Sequence, residues 1–410
     1  MDKGCKKVAN QIKIGIICFD LQEFTADFIN RLSNEVKGFA EVVAYPLVNI
    51  VCKEKITFKY KKGITLDSHR VVTLDKTKKT PEALLVTPNI KSAISCAVHS
   101  DIILHYGIHS STALIASLMS KILRKKQISV NQTLPLDIEA NRSLWIKNLK
   151  KIIYRLCDEH IYQTFLSKEV LSSVYGISHH ILHYAPFESG INSFKRIFNE
   201  EHLTNETRKN PKKVQFLFVG NLLKLKGIVL LIEGVHRLVK LGYNIECLII
   251  GGEAIAKNEP RISELKEHAK SLGVEHEIKI LGKKTLKELC HYYNKCDVFV
   301  LPTKRDTFGK VIAEAEIAGK PIITSTACGA VNTLVFKDIN GYIFRSGDID
   351  DLVKQMTKMF NPEIRLKMGT ESVRIINKYL LETANEASYY RDVILKCINT
   401  PIKKQENLER

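Results

Sequence analysis

From Val214 onward the chain alternates short apolar runs with segments of helical period, and this alternation admits few architectures. The run VQFLFVG (214–220) leads through a loop into Ile228, Leu231, Ile232, Val235, Leu238 and Val239, spaced three and four residues apart as on one helix face. Gly242 stands where a helix C-terminus favours glycine. IECLIIGG (245–252) reads as a second strand, and Ile262, Leu265, Ala269 and Leu272 as a helix closed by Gly273. EIKILG, TLKELCHYYNKC, DVFVLPT, GKVIAEAEIAG and PIITS continue the series. The pattern predicts an α/β domain with a parallel sheet, helices on both faces, and ligands at the carboxyl ends of the strands.

The whole chain has 410 residues, which exceeds one ordinary core and predicts two domains of roughly 200 residues each. A hydrophobic content of 45% and a charged content of 26% belong to a soluble globular protein. No apolar run reaches the roughly 20 residues that cross a bilayer. The early run from Ile12 to Phe19 stops at Asp20 and reads as a buried first strand, not a signal peptide. Ten cysteines without a C-x-x-C pair fit neither a zinc site nor a disulfide framework, and read as reduced thiols of a cytoplasmic protein. The net charge of +18 suits nucleic acid, an anionic membrane surface or phosphorylated small molecules. The basic residues come in short runs outside any nucleic-acid motif with interleaved aromatics, so a nucleic-acid partner is not expected.

Two strand-to-helix loops carry candidate chemistry. GNLLKLKG (220–227) has glycine at both ends and Lys226 just before a helix start, where a lysine beside free amides makes an anion site; a merely solvated lysine fits the same spacing. In LPTKRDTFGKVIAEAEIAGKP (301–321), Asp306 precedes a helix that begins near Gly309, and Glu314 follows eight residues later. The amides of Gly309, Lys310 and Val311 then point into the cleft and suit a diphosphate, with the carboxylates accepting hydrogen bonds from sugar hydroxyls. The alternative is that Asp306 is only an N-terminal helix charge and Glu314 a surface residue. Against it, Glu314 lies among Val311, Ile312, Ala315 and Ala318, where a carboxylate is costly without a partner.

Residues Val214 to Phe360 resemble the C-terminal domain of glycosyltransferase family 4, the retaining group with the GT-B fold. GNLLKLKG is similar to that family's G-R-L-x-x-x-K-G loop. LIIGGE, KILGKK and CDVFVLPT follow in the family's order, and RDTFGKVIAEAEIAGKPIITS resembles its paired-acid motif. The resemblance implies a GT-B fold of two Rossmann-like domains whose parallel sheets face a central cleft. It implies an acceptor-binding domain over 1–190, completed by a C-terminal helix at about 382–398. A nucleotide-sugar domain covers 191–381, and a disordered tail 399–410. By the same resemblance Glu314 holds the nucleotide ribose, and Asp306 contacts the donor sugar. Thr307, Phe308, Gly309, Lys310 and Val311 meet the donor phosphates and sugar. Lys226, beside Gly220 and Asn221, neutralises the diphosphate, with Gly252 in the neighbouring loop, while Leu281, Gly282 and Lys283 face the base. No metal and no cofactor are expected, the nucleotide sugar being a substrate.

Two departures stand out. Asn221 replaces the arginine that usually partners the lysine, and Asp306 replaces glutamate, shortening the reach by about 1.5 Å. Lys224 and Arg305 are the candidates to compensate.

In the N-terminal half IKIGIICF (12–19), AEVVAYPL (40–47) and DIILHYG (101–107) read as strands of a second open sheet, without a glycine-rich loop after the first. Gln132 or Thr133 occupies the place of the family's sugar-contacting histidine. His105 and His109 are nearby, and each also fits an ordinary structural role. The segment 143–156 is a basic amphipathic helix that either packs on the sheet, the favoured reading, or lies on anionic lipid.

The resemblance thus implies a retaining hexosyltransferase. It takes its sugar from a nucleotide diphosphate, UDP in the first instance, and acts on a glycan or polyprenyl-linked acceptor in surface polysaccharide synthesis. Its expected place is the cytoplasm, at the inner face of the membrane if the basic helix touches lipid. The competing class is a catalytically silent GT-B scaffold subunit.

Overall fold

The computed structural model describes residues 12–18, 23–46, 59–60, 90–106, 111–132, 144–188, 190–201, 213–253 and 260–400. Two sheets organise them, and every strand pairing is parallel. The first has the order β3-β2-β1-β4-β5-β6-β7. Its strands are β1 (Ile12–Cys18), β2 (Ala40–Pro46), β3 (Lys59–Tyr60), β4 (Ile102–Tyr106), β5 (Lys126–Asn131), β6 (Glu159–Tyr162) and β7 (Leu182–Tyr184). The second has the order β10-β9-β8-β11-β12-β13. It contains β8 (Val214–Val219), β9 (Ile245–Ile250), β10 (Ile278–Ile280), β11 (Val298–Leu301), β12 (Ile322–Ser325) and β13 (Gly341–Phe344). In each sheet the strand order reverses once, between β1 and β4 and between β8 and β11. The crevice at such a reversal is where doubly wound sheets bind ligands.

Alternate residues of the first sheet's strands feed two cores. Ile14, Ile16, Val42, Ala44 and Leu104 pack with Phe28, Tyr390, Val393 and Ile394. Ile17, Tyr45 and Ile103 face the other way, onto Ala93, Cys96 and Ala116. The C-terminal helix Glu386–Asn399 thereby covers the N-terminal sheet, beside helix Glu23–Val36, with the Phe28 and Tyr390 rings 4.7 Å apart. A break at Ala384–Asn385 separates it from the long helix Pro362–Thr383, so the element expected from about Glu382 begins four residues later.

The chain passes between the sheets after Ala185–Glu188 and again at that break, and both passages are pinned. The Tyr379 hydroxyl accepts from the Phe187 amide at 2.8 Å, and the Phe187 ring meets Phe308 edge-on at 5.0 Å. Arg31 lies 2.8 Å from Glu386 and 3.8 Å from Glu188, so one guanidinium serves both passages. Glu386 is only 2% exposed; burial, incompletely offset by Arg31 and reinforced by Glu188, pushes its carboxyl up to about 7. Ionising Glu386 is therefore harder in the folded chain than in the unfolded one. Its contribution to stability is fully present below the ordinary value of 4.5 and is lost as pH rises through about 7. Between about pH 5 and about pH 8 the wild type is expected to lose roughly 2–3 kcal/mol relative to Glu386→Gln. Chemical denaturation of both proteins at the two pH values measures this.

Eight cysteines lie among the described residues, all buried and none in a disulfide. Burial pushes the thiols of Cys96, Cys247, Cys328 and Cys397 up to about 12. Among the described residues no helix is long and apolar enough to cross a membrane. Of the expected tail 399–410, Asn399 instead ends the C-terminal helix and Thr400 caps it, while residues 401–410 lie outside the described residues.

Candidate active site

The two loops singled out in the sequence follow β8 and β11, the strands that flank the order reversal, and backbone contacts stitch them together. The Lys304 amide donates to the Leu225 carbonyl at 2.7 Å, and the Thr303 hydroxyl to the same oxygen at 2.9 Å. Gly227 is held at φ +71°, and a Cβ there would sit 1.9 Å from the Pro302 carbonyl oxygen. The loop after β9 joins the assembly: the Leu222 amide donates to Gly252 O at 2.9 Å, and a Cβ on Gly251 would lie 1.8 Å from Gly220 O. The Gly251 amide in turn donates to Gly282 O at 3.0 Å. Glycine is required here because backbones approach one another too closely for a side chain.

This stitching brings Lys226 and Asp306 together, 80 residues apart in sequence, with Nζ and Oδ2 at 2.5 Å. The other carboxylate oxygen of Asp306 accepts from the Gly309 amide at 2.8 Å and the Phe308 amide at 3.2 Å. This corrects one expectation. The Gly309 amide does not point freely into the cleft, since Asp306 occupies it as a helix-terminal acceptor. Lys310 and Val311, in the first turn of helix Lys310–Ile317, keep amides without an intrahelical partner. Gly309 has φ +80°, with Cys328 Sγ only 2.8 Å from where its Cβ would be. Thr307 lies beside it with its backbone against Gly329. Phe308 is buried between Phe187 and Tyr379, so its side chain serves packing and only its backbone can face a ligand.

Glu314 is 4% exposed, and burial raises its carboxyl above the ordinary range against the opposing effect of Lys310. The Tyr293 hydroxyl donates to Glu314 Oε2 at 2.9 Å, and Lys310 Nζ lies 4.0 Å from Oε1. The surface reading of Glu314 is thus excluded. Tyr293 was not legible as a site residue, because it comes from another helix, Leu286–Lys295, with an ordinary aromatic spacing. Glu316, two residues on, is wholly buried on the other side of the helix. It accepts from Asn340 Nδ2 at 2.9 Å, and Asn340 also binds Leu334 O and the Phe336 amide. It supports the 334–340 loop and stands outside the site.

Asn221 is exposed at the head of its loop, as is Lys224. Lys283 is exposed and lies across Gly252, 3.9 Å from where a Cβ there would be, beside Leu281 and Gly282 at the end of β10. On the N-terminal side, His105 is wholly buried, bonded to Gln127 at 3.0 Å and pushed down to about 4 by burial; it is a neutral core histidine. Gln132, at the end of β5, donates to Gln163 at 2.7 Å, and Gln163 to the Tyr390 hydroxyl at 3.0 Å. His109 and Thr133 lie outside the described residues. So do residues 254–259 of the loop after β9. Among the described residues no group of three or more histidine, cysteine or acidic side chains could hold a metal ion.

Two parallel Rossmann-like sheets, each with a single reversal of strand order, define the GT-B class. Residues 199–374 match the family model described as glycosyl transferases group 1. Among relatives, the capsular polysaccharide biosynthesis glycosyltransferase CapM of Staphylococcus aureus is 32% identical over 164 residues, covering 40% of this chain and 41% of that protein. Mannosylfructose-phosphate synthase of Agrobacterium fabrum is 29% identical over 187 residues, covering 45% and 41%. The matched part is thus about two fifths of each curated relative. Among solved structures, Anabaena HepE in complex with UDP superposes with a TM-score of 0.67 at 15% identity, covering 93% of this chain and 100% of that one. The galactosyltransferase WaaB gives 0.65 at 16% identity, covering 94% and 99%. The GT-B fold spans both halves of the chain.

Proposed function

We propose that this chain is a retaining hexosyltransferase. It takes its sugar from a nucleotide diphosphate, UDP in the first instance, and passes it to a glycan or polyprenyl-linked acceptor in surface polysaccharide synthesis, on the cytoplasmic side of the membrane. The observation that carries the reading is the convergence of Lys226, Asp306 and the helix start at Lys310 on the switch point between β8 and β11. In this reading Lys226 and the Lys310 and Val311 amides stabilise the negative charge that develops on the departing diphosphate, the work a metal ion does elsewhere, so no metal is required. The bond from the anomeric carbon to the diphosphate oxygen breaks as the acceptor hydroxyl oxygen bonds to the same face. The hydroxyl proton passes to the departing phosphate, and no covalent enzyme intermediate forms. Glu314, oriented by Tyr293, accepts hydrogen bonds from the ribose hydroxyls, and Asp306 from the donor sugar. UDP in the HepE complex supports the choice of nucleotide, and the CapM name supports a polysaccharide acceptor.

A second reading has one observation in its favour. Lys226 and Asp306 neutralise each other, and Asn221 supplies no second cation, as in a silent scaffold subunit. A panel of UDP-, GDP- and ADP-sugars, assayed without metal for thermal shift and slow donor hydrolysis beside Glu314→Ala, separates the two. A nucleotide that raises the melting temperature of the wild type and less that of the variant supports the transferase. Absence of any shift or hydrolysis, with activity gained by Asn221→Arg, establishes the scaffold. Tyr293→Phe is expected to weaken nucleotide binding by about 1 kcal/mol with kcat nearly unchanged, because Glu314 loses a buried donor; calorimetric titration with the nucleotide measures it.

A further inference from the structure

The three helices on one face of the N-terminal sheet, Ile90–His99, Ser111–Ile122 and Leu144–Leu156, contain no aspartate or glutamate. They carry six lysines and arginines, of which Lys150 is buried, and Arg124 follows the second helix; Lys125 and Lys126 beyond it pair with Asp101 and Asp158. Their shared face follows from packing. Ala93, Cys96 and Ala116 meet the same strand residues, and Leu114 packs against the cluster that holds Ile153 and Tyr154. The helices on the opposite face, by contrast, carry Glu23, Asp27, Glu35, Glu386 and Asp392.

The acid-free face also leaves aliphatic side chains in water. Ile90, Ile94 and Val98, four residues apart, form an exposed stripe along the first helix; Leu118 and Ile122 continue on the second, and Ile152 on the third, with Ile122 72% exposed. Lys91, Lys121, Arg124 and Arg155 are exposed among them. The expected basic amphipathic helix thus buries Ile153 and leaves Ile152 outside, and the larger unpartnered surface lies on the two helices before it. Scattered exposed aliphatics are ordinary, whereas an aligned set among the exposed cations Lys91, Lys121, Arg124 and Arg155 suits a partner both apolar and anionic. Nucleic acid offers phosphates without an apolar layer, and a second copy would bring the same positive charge to an isologous contact. A bilayer containing anionic phospholipid offers both components at once.

We propose that this face, built from Ile90–His99, Ser111–Ile122 and the exposed side of Leu144–Leu156, docks the protein on an anionic phospholipid bilayer. The proposal deepens the membrane-side reading of the function but uses no sugar nucleotide, so it stands or falls separately. The full chain is sedimented with vesicles of phosphatidylcholine alone and of phosphatidylcholine mixed with phosphatidylglycerol, beside Ile94→Glu/Ile122→Glu. Binding is expected only to the mixed vesicles, with partition lowered tenfold or more, to order of magnitude, in the double variant. Its melting temperature is expected to stay unchanged, since both positions are exposed. Equal binding to both vesicles, no binding, or binding insensitive to the double variant overturns the proposal. So does a concentration-dependent dimer abolished by the variant, which assigns the face to a second copy. A large fall in melting temperature without a change in vesicle binding also overturns it, and assigns the face to a segment of the chain outside the described residues.

Discussion

Lys226→Ala is expected to lower kcat/KM about 100- to 1,000-fold, with most of the loss in kcat. The ammonium sits 2.5 Å from Asp306, at the point where the loops after β8 and β11 meet, and Asn221 leaves no arginine beside it in that loop. Its interaction with a diphosphate grows as the bond to the sugar breaks and charge accumulates, so removing it penalises the transition state more than the bound donor. Asp306→Asn has the opposite signature. It releases Lys226 from its partner, so nucleotide affinity rises while transfer slows, because the carboxylate for the sugar is lost. Steady-state kinetics of both variants with the donor identified by thermal shift check the pair. Equal loss of donor affinity and rate in Lys226→Ala would assign the lysine to ground-state binding alone.

Gly227→Ala is expected to destabilise the C-terminal domain by about 4 kcal/mol or more, enough to remove most soluble protein. Two costs coincide. The backbone has φ +71°, which a side chain disfavours by roughly 1–2 kcal/mol, and the new methyl would lie 1.9 Å from the Pro302 carbonyl oxygen. That oxygen belongs to the loop that positions Asp306, so relief of the clash moves the site itself. Gly242→Ala separates the costs. Its φ of +82° is similar, but nothing lies within 4 Å of the new Cβ, and a loss of about 1 kcal/mol is expected. Denaturant unfolding of the two variants gives the comparison.

The C-terminal architecture was legible because its information is local. Apolar runs, helical spacing and the glycines at 227, 242, 273 and 309 each mark an element within a few residues of themselves. The pairing of Lys226 with Asp306 was not legible, because it rests on β8 and β11 being neighbours, which the strand order of the folded sheet supplies. What escaped depends on distant contacts. Tyr293 has a function only because its helix lies against Glu314. Glu316 looks like any helix carboxylate until Asn340 closes over it, and Arg31 gains its role from Glu188 and Glu386, far away in sequence. Asp306 shows a further limit, because spacing cannot tell whether a carboxylate faces a ligand or caps its own helix. Here Oδ1 caps the helix while Oδ2 holds Lys226, at the position where the proposed donor sugar is met.

The buried thiols have a practical consequence. Eight cysteines are shielded, and several are held far from the ionised form at neutral pH. Alkylating dyes react with thiolates, so these positions stay unlabelled in the native protein. With Cys5 and Cys52 replaced, one new thiol on exposed Lys283 and another beside Gln132 can carry a donor and an acceptor fluorophore across the cleft. Energy transfer between them then reports, molecule by molecule, whether the two sheets approach one another as a sugar nucleotide is added.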